Sequence, residues 1–312
     1  MENRILGIHH ITAIAGDAQR NYDFYTKTLG LRFVKKTVNF DDPETYHFYF
    51  GDEMGTPGSI LTFFPWTRVK QGKPGAGMVT EIGYSVPEGS LTFWKKRFED
   101  AGVRHDEISE RFGEKQLPFQ DPDGLWLNLI EAKNKDTRKG WVASDVDGSS
   151  AIKGFHTAVI TLNDIKETAA ILTEVFGYRR TEQDRNIYRY QTDTVENAAL
   201  IDLLEEPDAP GGINAGGTNH HIAFRVKDEA TLMAYRQKIV DRGLYITEKI
   251  NRDYFFSLYF REPGGVLFEI ATDNPGFATD EKVESLGSSL QLPDRYKPFR
   301  DRIEKALPEL HT

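Results

Sequence analysis

The sequence predicts an α+β fold in which four tandem βαβββ modules form two cupped half-barrel sheets with helices outside, plus a C-terminal extension. Three observations lead there. A unit of roughly 70 residues recurs four times along the chain. Each copy opens with a short strand whose residues alternate between two faces, the period of a half-buried β-strand. Each opening strand is followed by a stretch with helical spacing that stops at a glycine. One unit cannot cover both faces of its own small sheet. Units must therefore pair, their strands forming a cup and their helices covering its back.

The opening strands are predicted at 7–14, 79–86, 154–161 and 219–226, each rich in β-branched or aromatic residues. The helical stretches are 17–30, 90–102, 163–177 and 228–243. The first carries Tyr22, Tyr25 and Leu29 on one face; the second starts at Ser90, a cap residue, and aligns Leu91, Trp94 and Phe98. Three more strands close each unit, with turns visible at Thr56-Pro57-Gly58, Asp121-Pro122-Asp123-Gly124 and Glu262-Pro263-Gly264-Gly265. Unit three has no such Pro-Gly turn, and its last strand is expected at 198–204. The charged, glycine-containing stretch 131–151 links two halves. The expected domains are an N-terminal pair of modules (1–140), a C-terminal pair (151–275) and the extension (276–312). Within the extension, 281–292 and 296–310 carry at least one amphipathic helix.

Composition narrows the function. With 39 Lys+Arg against 48 Asp+Glu among 312 residues, the net charge is −9, so no basic face for nucleic acid is expected. The absence of cysteine excludes disulfide scaffolds, Cys-ligated zinc, iron–sulfur clusters and thiol nucleophiles. The N-terminal residues lack the apolar core of a signal peptide, and no uninterrupted apolar run is long enough to span a membrane. The expected compartment is the cytoplasm.

Four of the eight histidines form two doublets, His9-His10 and His220-His221, at the same place in two opening strands. Neighbours on a regular strand face opposite ways. His220 shares its face with Ile222, Phe224 and Val226, a set suited to packing on helices. His221 goes with Ala223 and Arg225, and His10 with Thr12 and Ile14. Parity therefore turns His10 and His221 into the cup, and His9 and His220 toward the helices. In unit four's last strand Glu269 lies between Phe268 and Ile270, where burial disfavours a carboxylate without a partner. Two imidazoles and one carboxylate are the ligand set of non-haem Fe(II) oxygenases. In the other units, Phe63 and Asn128 are aligned with Glu269, while Glu81 and Thr157 are aligned with the histidines. The set Glu81, Asn128, Thr157 and Asp202 looks unfit for a metal, since an amide and a hydroxyl are poor ligands for a transition metal. One metal per chain follows, with units one and four as neighbours.

The chain also carries Gly7-Ile8-His9-His10-Ile11-Thr12, Tyr46-His47-Phe48-Tyr49, Gly55-Thr56-Pro57-Gly58, Arg111-Phe112-Gly113, Ile201-Asp202, Asn251-Arg252, Pro263-Gly264-Gly265-Val266-Leu267-Phe268-Glu269 and Gly276-Phe277, in that order. This ordered set, with His220-His221, resembles the vicinal oxygen chelate superfamily of glyoxalase, bleomycin-resistance and extradiol dioxygenase relatives. Within it, the chain resembles the hydroquinone ring-cleaving dioxygenases of the MhqO and chlorohydroquinone dioxygenase type. The resemblance runs along nearly the whole chain. It implies an Fe(II)-dependent, extradiol-type cleavage of a hydroquinone or catechol by O2, with Mn(2+) acceptable in place of Fe(2+).

By the same resemblance, metal ligation falls to His10, His221 and Glu269, and substrate or supporting roles to His9, Thr12, His220, Arg252 and Tyr259. A site role for His9 and His220 requires a bulge or strand end to overcome parity. Tyr259 suits a proton or hydrogen-bond donor, and Arg252 a phenolate partner. A turn centred near 264 brings Tyr259 beside Glu269 on antiparallel strands. Phe64, Trp66 and Phe255 are expected to line the cup. The implied partners are a small aromatic diol and O2, without nucleic acid or membrane, and with room for a homo-oligomer. Two alternatives differ in their needs. A glyoxalase-type isomerase or lyase would want a second carboxylate where Phe63 stands, and a metal-free small-aromatic binding protein would not need the triad.

Overall fold

The structure, a computed structural model, describes residues 3–143 and 145–312. Unit one comprises β1 (Ile8–Ala15), α1 (Ala18–Asp23), β2 (Arg32–Val38), β3 (Tyr46–Gly51) and β4 (Ile60–Pro65). Unit two comprises β5 (Met78–Val86), α2 (Leu91–Ala101), β6 (Ser109–Arg111), β7 (Glu114–Gln120) and β8 (Trp126–Glu131). Unit three comprises β9 (Gly154–Leu162), α3 (Lys166–Ala170), β10 (Arg179–Asp184), β11 (Ile187–Gln191) and β12 (Leu200–Glu205). Unit four comprises β13 (Thr218–Val226), α4 (Glu229–Asp241), β14 (Ile250–Asn251), β15 (Phe255–Arg261) and β16 (Leu267–Pro275). The extension contains α5 (Arg300–Ala306).

The strands form two curled, eight-stranded sheets. One runs β14-β15-β16-β13-β1-β4-β3-β2 and joins units four and one. The other runs β10-β11-β12-β9-β5-β8-β7-β6 and joins units three and two. In each sheet the opening strands of two units meet antiparallel at the centre, β1 on β13 and β5 on β9. Each opening strand pairs in parallel with the last strand of its own unit. The doublets of units one and four are thereby set on adjacent central strands.

The backs of the sheets bury the helices' apolar faces. Asp17 caps α1 by accepting from the Arg20 amide at 2.7 Å. The helices of units one and three both widen into a π-turn, over Phe24–Thr28 and Ile171–Val175. The wide turn of unit one carries Tyr25 onto Phe50 and Phe63, with centroids at 5.1 and 4.6 Å. Because Phe48 and Phe50 of β3 are spent on this layer, His47 and Tyr49 project into the cup. The extension is tied to unit one by buried Lys35, which pairs with Asp280 and Glu281 at 2.5 Å each. Among the described residues, no helix is long and apolar enough to cross a membrane.

Candidate metal centre

His10 stands on β1, His221 on β13 and Glu269 on β16, three strands side by side. Glu269 Oε2 lies 3.2 Å from His10 Nε2 and 2.9 Å from His221 Nε2, and the two nitrogens are 3.4 Å apart. All three side chains are buried. Among the described residues this is the group of metal-capable side chains that converges. Metal bonds of about 2.1 Å put neighbouring donor atoms about 3.0 Å apart at right angles and about 3.4 Å apart at the tetrahedral angle. The three separations fit that range.

The hydrogen bonds around the triad favour the same reading. Ser257 donates to Glu269 Oε1, whereas buried Oε2 has no hydrogen-bond partner. The Thr272 carbonyl can only accept, so His9 gives it the Nε2 proton at 3.1 Å. His9 Nδ1 must then accept from His10 Nδ1–H at 2.9 Å, so that Nε2 is the His10 nitrogen left to face a metal. His220 makes the equivalent Nδ1 contact to His221 at 2.8 Å. Burial, reinforced by neighbouring His10, holds His9 well below the ordinary imidazole range; burial and His221 hold His220 down to about 3. Burial alone pushes the Glu269 carboxyl up, and positive charge placed where the imidazoles meet it more than reverses this. Lone pairs and a carboxylate facing one another need a cation between them.

Strand parity turned His9 and His220 toward the helices, and the structure places them otherwise. The β1–β13 ladder slips between Ile8 and His10 and again between Thr12 and Ala13, making His9 and His220 the extra residues of two bulges. Each therefore sits edge to face with its neighbour, with ring centroids 5.1 Å apart. A second correction concerns Phe63. Thr12 is opposite Thr62 as Ala223 is opposite Glu269, so Thr62 is unit one's counterpart of the carboxylate. Phe63 packs on Tyr25 behind the sheet, since one residue of register exchanges the faces. Thr62 is a neutral hydroxyl, and a second carboxylate is still lacking.

Above the triad is a cavity of about 410 Å³. Phe64, Trp66 and Phe255 contribute its aromatic wall. Tyr259 pairs in register with Glu269, and Arg252 Nε donates to its hydroxyl at 3.3 Å. Burial raises the Tyr259 phenol above its ordinary value, so it remains a proton donor. The Arg252 guanidinium also lies 5.4 Å from the Phe40 ring and 3.9 Å from Asp41. Thr12 and Thr62 share a 2.9 Å hydrogen bond.

His47, Tyr49 and Ser257 escaped sequence reasoning. Burial keeps the His47 imidazole neutral and the Tyr49 phenol protonated. Tyr49 can then donate to His47 Nδ1 and His47 Nε2 to Thr62, both at 2.9 Å, in a chain along the cavity wall. Parity along β3 could have found His47 and Tyr49. The loop bearing Asn39, Phe40, Asp41 and Asp42 had no such signal.

The second cup carries its own charges. Arg189 clamps Asp202 through two 2.9 Å bonds and reaches Glu114 at 2.7 Å. It pairs in register with Asp202 as Tyr259 does with Glu269. Glu81 is held by Arg111 at 3.0 Å and by Asn128 at 3.1 Å. Two built-in guanidiniums, those of Arg189 and Arg111, neutralise the carboxylates there.

Comparison with known proteins agrees with this architecture. The family model of the Glyoxalase/Bleomycin resistance protein/Dioxygenase superfamily matches residues 7–129 and 154–270. The chain is 44% identical to the Bacillus subtilis (strain 168) protein named "Putative ring-cleaving dioxygenase MhqO", over 98% of this chain and 97% of that one. It is 34% identical to the "Chlorohydroquinone/hydroquinone 1,2-dioxygenase" of Sphingobium indicum, over 98% and 97% of the two chains. A crystal structure of a "putative dioxygenase" from Bacillus subtilis superimposes with a TM-score of 0.94 at 43% identity, covering 99% of this chain and 98% of that one. Glyoxalase I from Zea mays shares the fold at a TM-score of 0.65 and 14% identity, over 86% of this chain and 92% of that one. The chain belongs to the Glyoxalase/Bleomycin resistance protein/Dioxygenase superfamily.

Proposed function

We propose that this chain is a ring-cleaving dioxygenase that holds one Fe(II) through His10, His221 and Glu269 and opens a hydroquinone or catechol ring with O2. The observation that best supports this is the convergence of two imidazole nitrogens and one unpartnered carboxylate oxygen at the floor of an aromatic-walled cavity. The names of the full-length relatives supply the reaction class. Mn(II) would be accepted by the same ligands. When bound, the metal supplies open coordination positions and electron transfer between ring and O2.

The chain's own groups do the rest. Phe64, Trp66 and Phe255 stack on the ring and exclude water. The Arg252 guanidinium balances negative charge that develops on the substrate, and the Tyr259 hydroxyl, oriented by Arg252, donates a proton or hydrogen bond. In the overall reaction one ring carbon–carbon bond beside a hydroxylated carbon breaks. That carbon becomes a carboxyl group, its neighbour a carbonyl, and both atoms of O2 enter the product. The test is O2 uptake by anaerobically Fe(II)-loaded protein against a panel of hydroquinones and catechols. Uptake matched to ring loss is expected; no uptake with any diol would sink the proposal.

A further inference from the structure

Behind the triad lies a second cavity, of about 460 Å³, that shares His220, His221 and Leu267 with the first as a common wall. Its character is different. Backbone at Gly77, Gly211 and Gly264 forms much of the lining, with Asn163, Asn214, Asn219 and Arg261 among its polar side chains. Asn219 Oδ1 is buried without a partner, while its Nδ2 donates to the Val79 carbonyl at 3.0 Å. Such an orphaned acceptor marks a space that holds water, and it offers no donor to an anion, which leaves Arg261 as the group that can receive one. Arg261 is exposed, and its Nη1 donates to the Gly265 carbonyl at 2.5 Å. It enters none of the ion pairs among the described residues.

The two cavities differ in charge. Asp41 and Asp42 line the first, and its cation Arg252 already has Asp41 at 3.9 Å. Among the described residues no Asp or Glu lines the second. Ring cleavage turns a neutral diol into a carboxylate once the new carboxyl group releases its proton to water. The anion is born beside two aspartates, one thin wall from an unpaired guanidinium. We propose that the second cavity is a carboxylate subsite through which the cleaved product leaves, with Arg261 receiving the carboxylate after it passes Leu267. This exit role rests on the ring-cleavage reading. It divides the traffic: neutral aromatic diol enters past Asp41 and Asp42, and acyclic anion departs past Arg261.

The probe is muconate, a six-carbon dicarboxylate, titrated calorimetrically into Fe(II)-loaded protein kept free of O2. Arg261→Gln should weaken its binding about tenfold and Arg261→Glu further, whereas Arg261→Lys should retain most of it. Catechol, which lacks a carboxylate, should bind all four proteins alike. Arg261 is exposed, so the variants should fold, and thermal unfolding checks this. Muconate that fails to bind wild type, or that binds wild type and Arg261→Glu equally, would overturn the exit role. O2 uptake by the wild type on diols is read separately. Uptake with Arg261-independent muconate binding defeats the exit role alone, and absent uptake defeats the ring-cleavage reading.

Discussion

Replacing His9 by Phe should weaken Fe(II) binding about 10- to 100-fold although no ligand is touched. His9 is 2% exposed and holds two bonds, Nε2–H to the Thr272 carbonyl at 3.1 Å and Nδ1 from His10 Nδ1–H at 2.9 Å. Phe preserves most of the ring volume, so the packing cost is small. The chemical loss is specific: His10 Nδ1–H is left buried without an acceptor, at a cost of about 1–3 kcal/mol. The ring escapes that cost by moving its proton to Nε2 or by rotating, and either change removes the lone pair aimed at the metal position. A loss of about 1.4–2.7 kcal/mol corresponds to the stated factor. The assay is anaerobic competition against an Fe(II) chelator, with thermal unfolding of the metal-free protein as the folding control. His220→Phe is the internal comparison. His220 touches His221 in the same way at 2.8 Å but is less buried and, among the described residues, has no carbonyl partner like Thr272, so its loss should be under about tenfold. Wild-type affinity in His9→Phe, or a larger loss in His220→Phe, would refute the idea that the first bulge fixes the tautomer of His10.

Four further outcomes follow from the geometry. Ala at His10, His221 or Glu269 should each abolish stoichiometric metal binding, and full occupancy in any one by metal analysis would contradict the ligand set. Tyr259→Phe should keep metal affinity and lower kcat about 10²-fold or more, measured as O2 consumption at matched iron content; wild-type turnover would reduce Tyr259 to a wall residue. In the second cup, Arg189→Met should cost about 3–5 kcal/mol by stranding the buried Asp202 and Glu114 carboxylates, visible as a lower Tm and absent if the network is dispensable. There, burial pushes Glu114 up, but His156 and Arg189 more than reverse it, from an ordinary 4.5 to about 2. The unfolded chain thus binds the proton more readily, and this stabilisation, complete above about pH 4.5, should fade as pH falls toward 2. Glu114→Gln should flatten that acid limb in pH-dependent melts.

What could be read from the residues depended on how each position announces its environment. The repeat was legible because alternation and glycine stops are local signals, and Gly102 does end α2 in a left-handed turn at φ 66°. The triad was legible because a lone carboxylate between Phe268 and Ile270 has few reasons to exist. The register of β4 was not, because Phe63 and Phe64 are both aromatic: one packs on Tyr25 behind the sheet and the other lines the cavity, so no period-two contrast marks the faces. In Tyr46-His47-Phe48-Tyr49-Phe50, by contrast, the histidine marks one face and the phenylalanines the other, so parity there was available. Bulges are harder still, since an extra residue leaves the alternation on either side intact and shows only in the ladder.

Yet the bulges give the doublets their chemical sense. On a regular strand, two adjacent histidines face apart and cannot act on one another. With an extra residue in β1 and another in β13, each second imidazole swings beside its neighbour, at 2.9 and 2.8 Å between Nδ1 atoms. One ring of each pair can then present Nε2 to a metal while the other fixes its proton on the far side. Among the described residues only the first pair extends to a main-chain carbonyl, at Thr272 on β16, the strand that also bears Glu269. His10 and Glu269 are therefore positioned through a common strand, so a shift of β16 would move the carboxylate and the support of the imidazole together. On the proposed reading His221, braced by a less buried ring on the wall between the two cavities, is the ligand held by fewer partners.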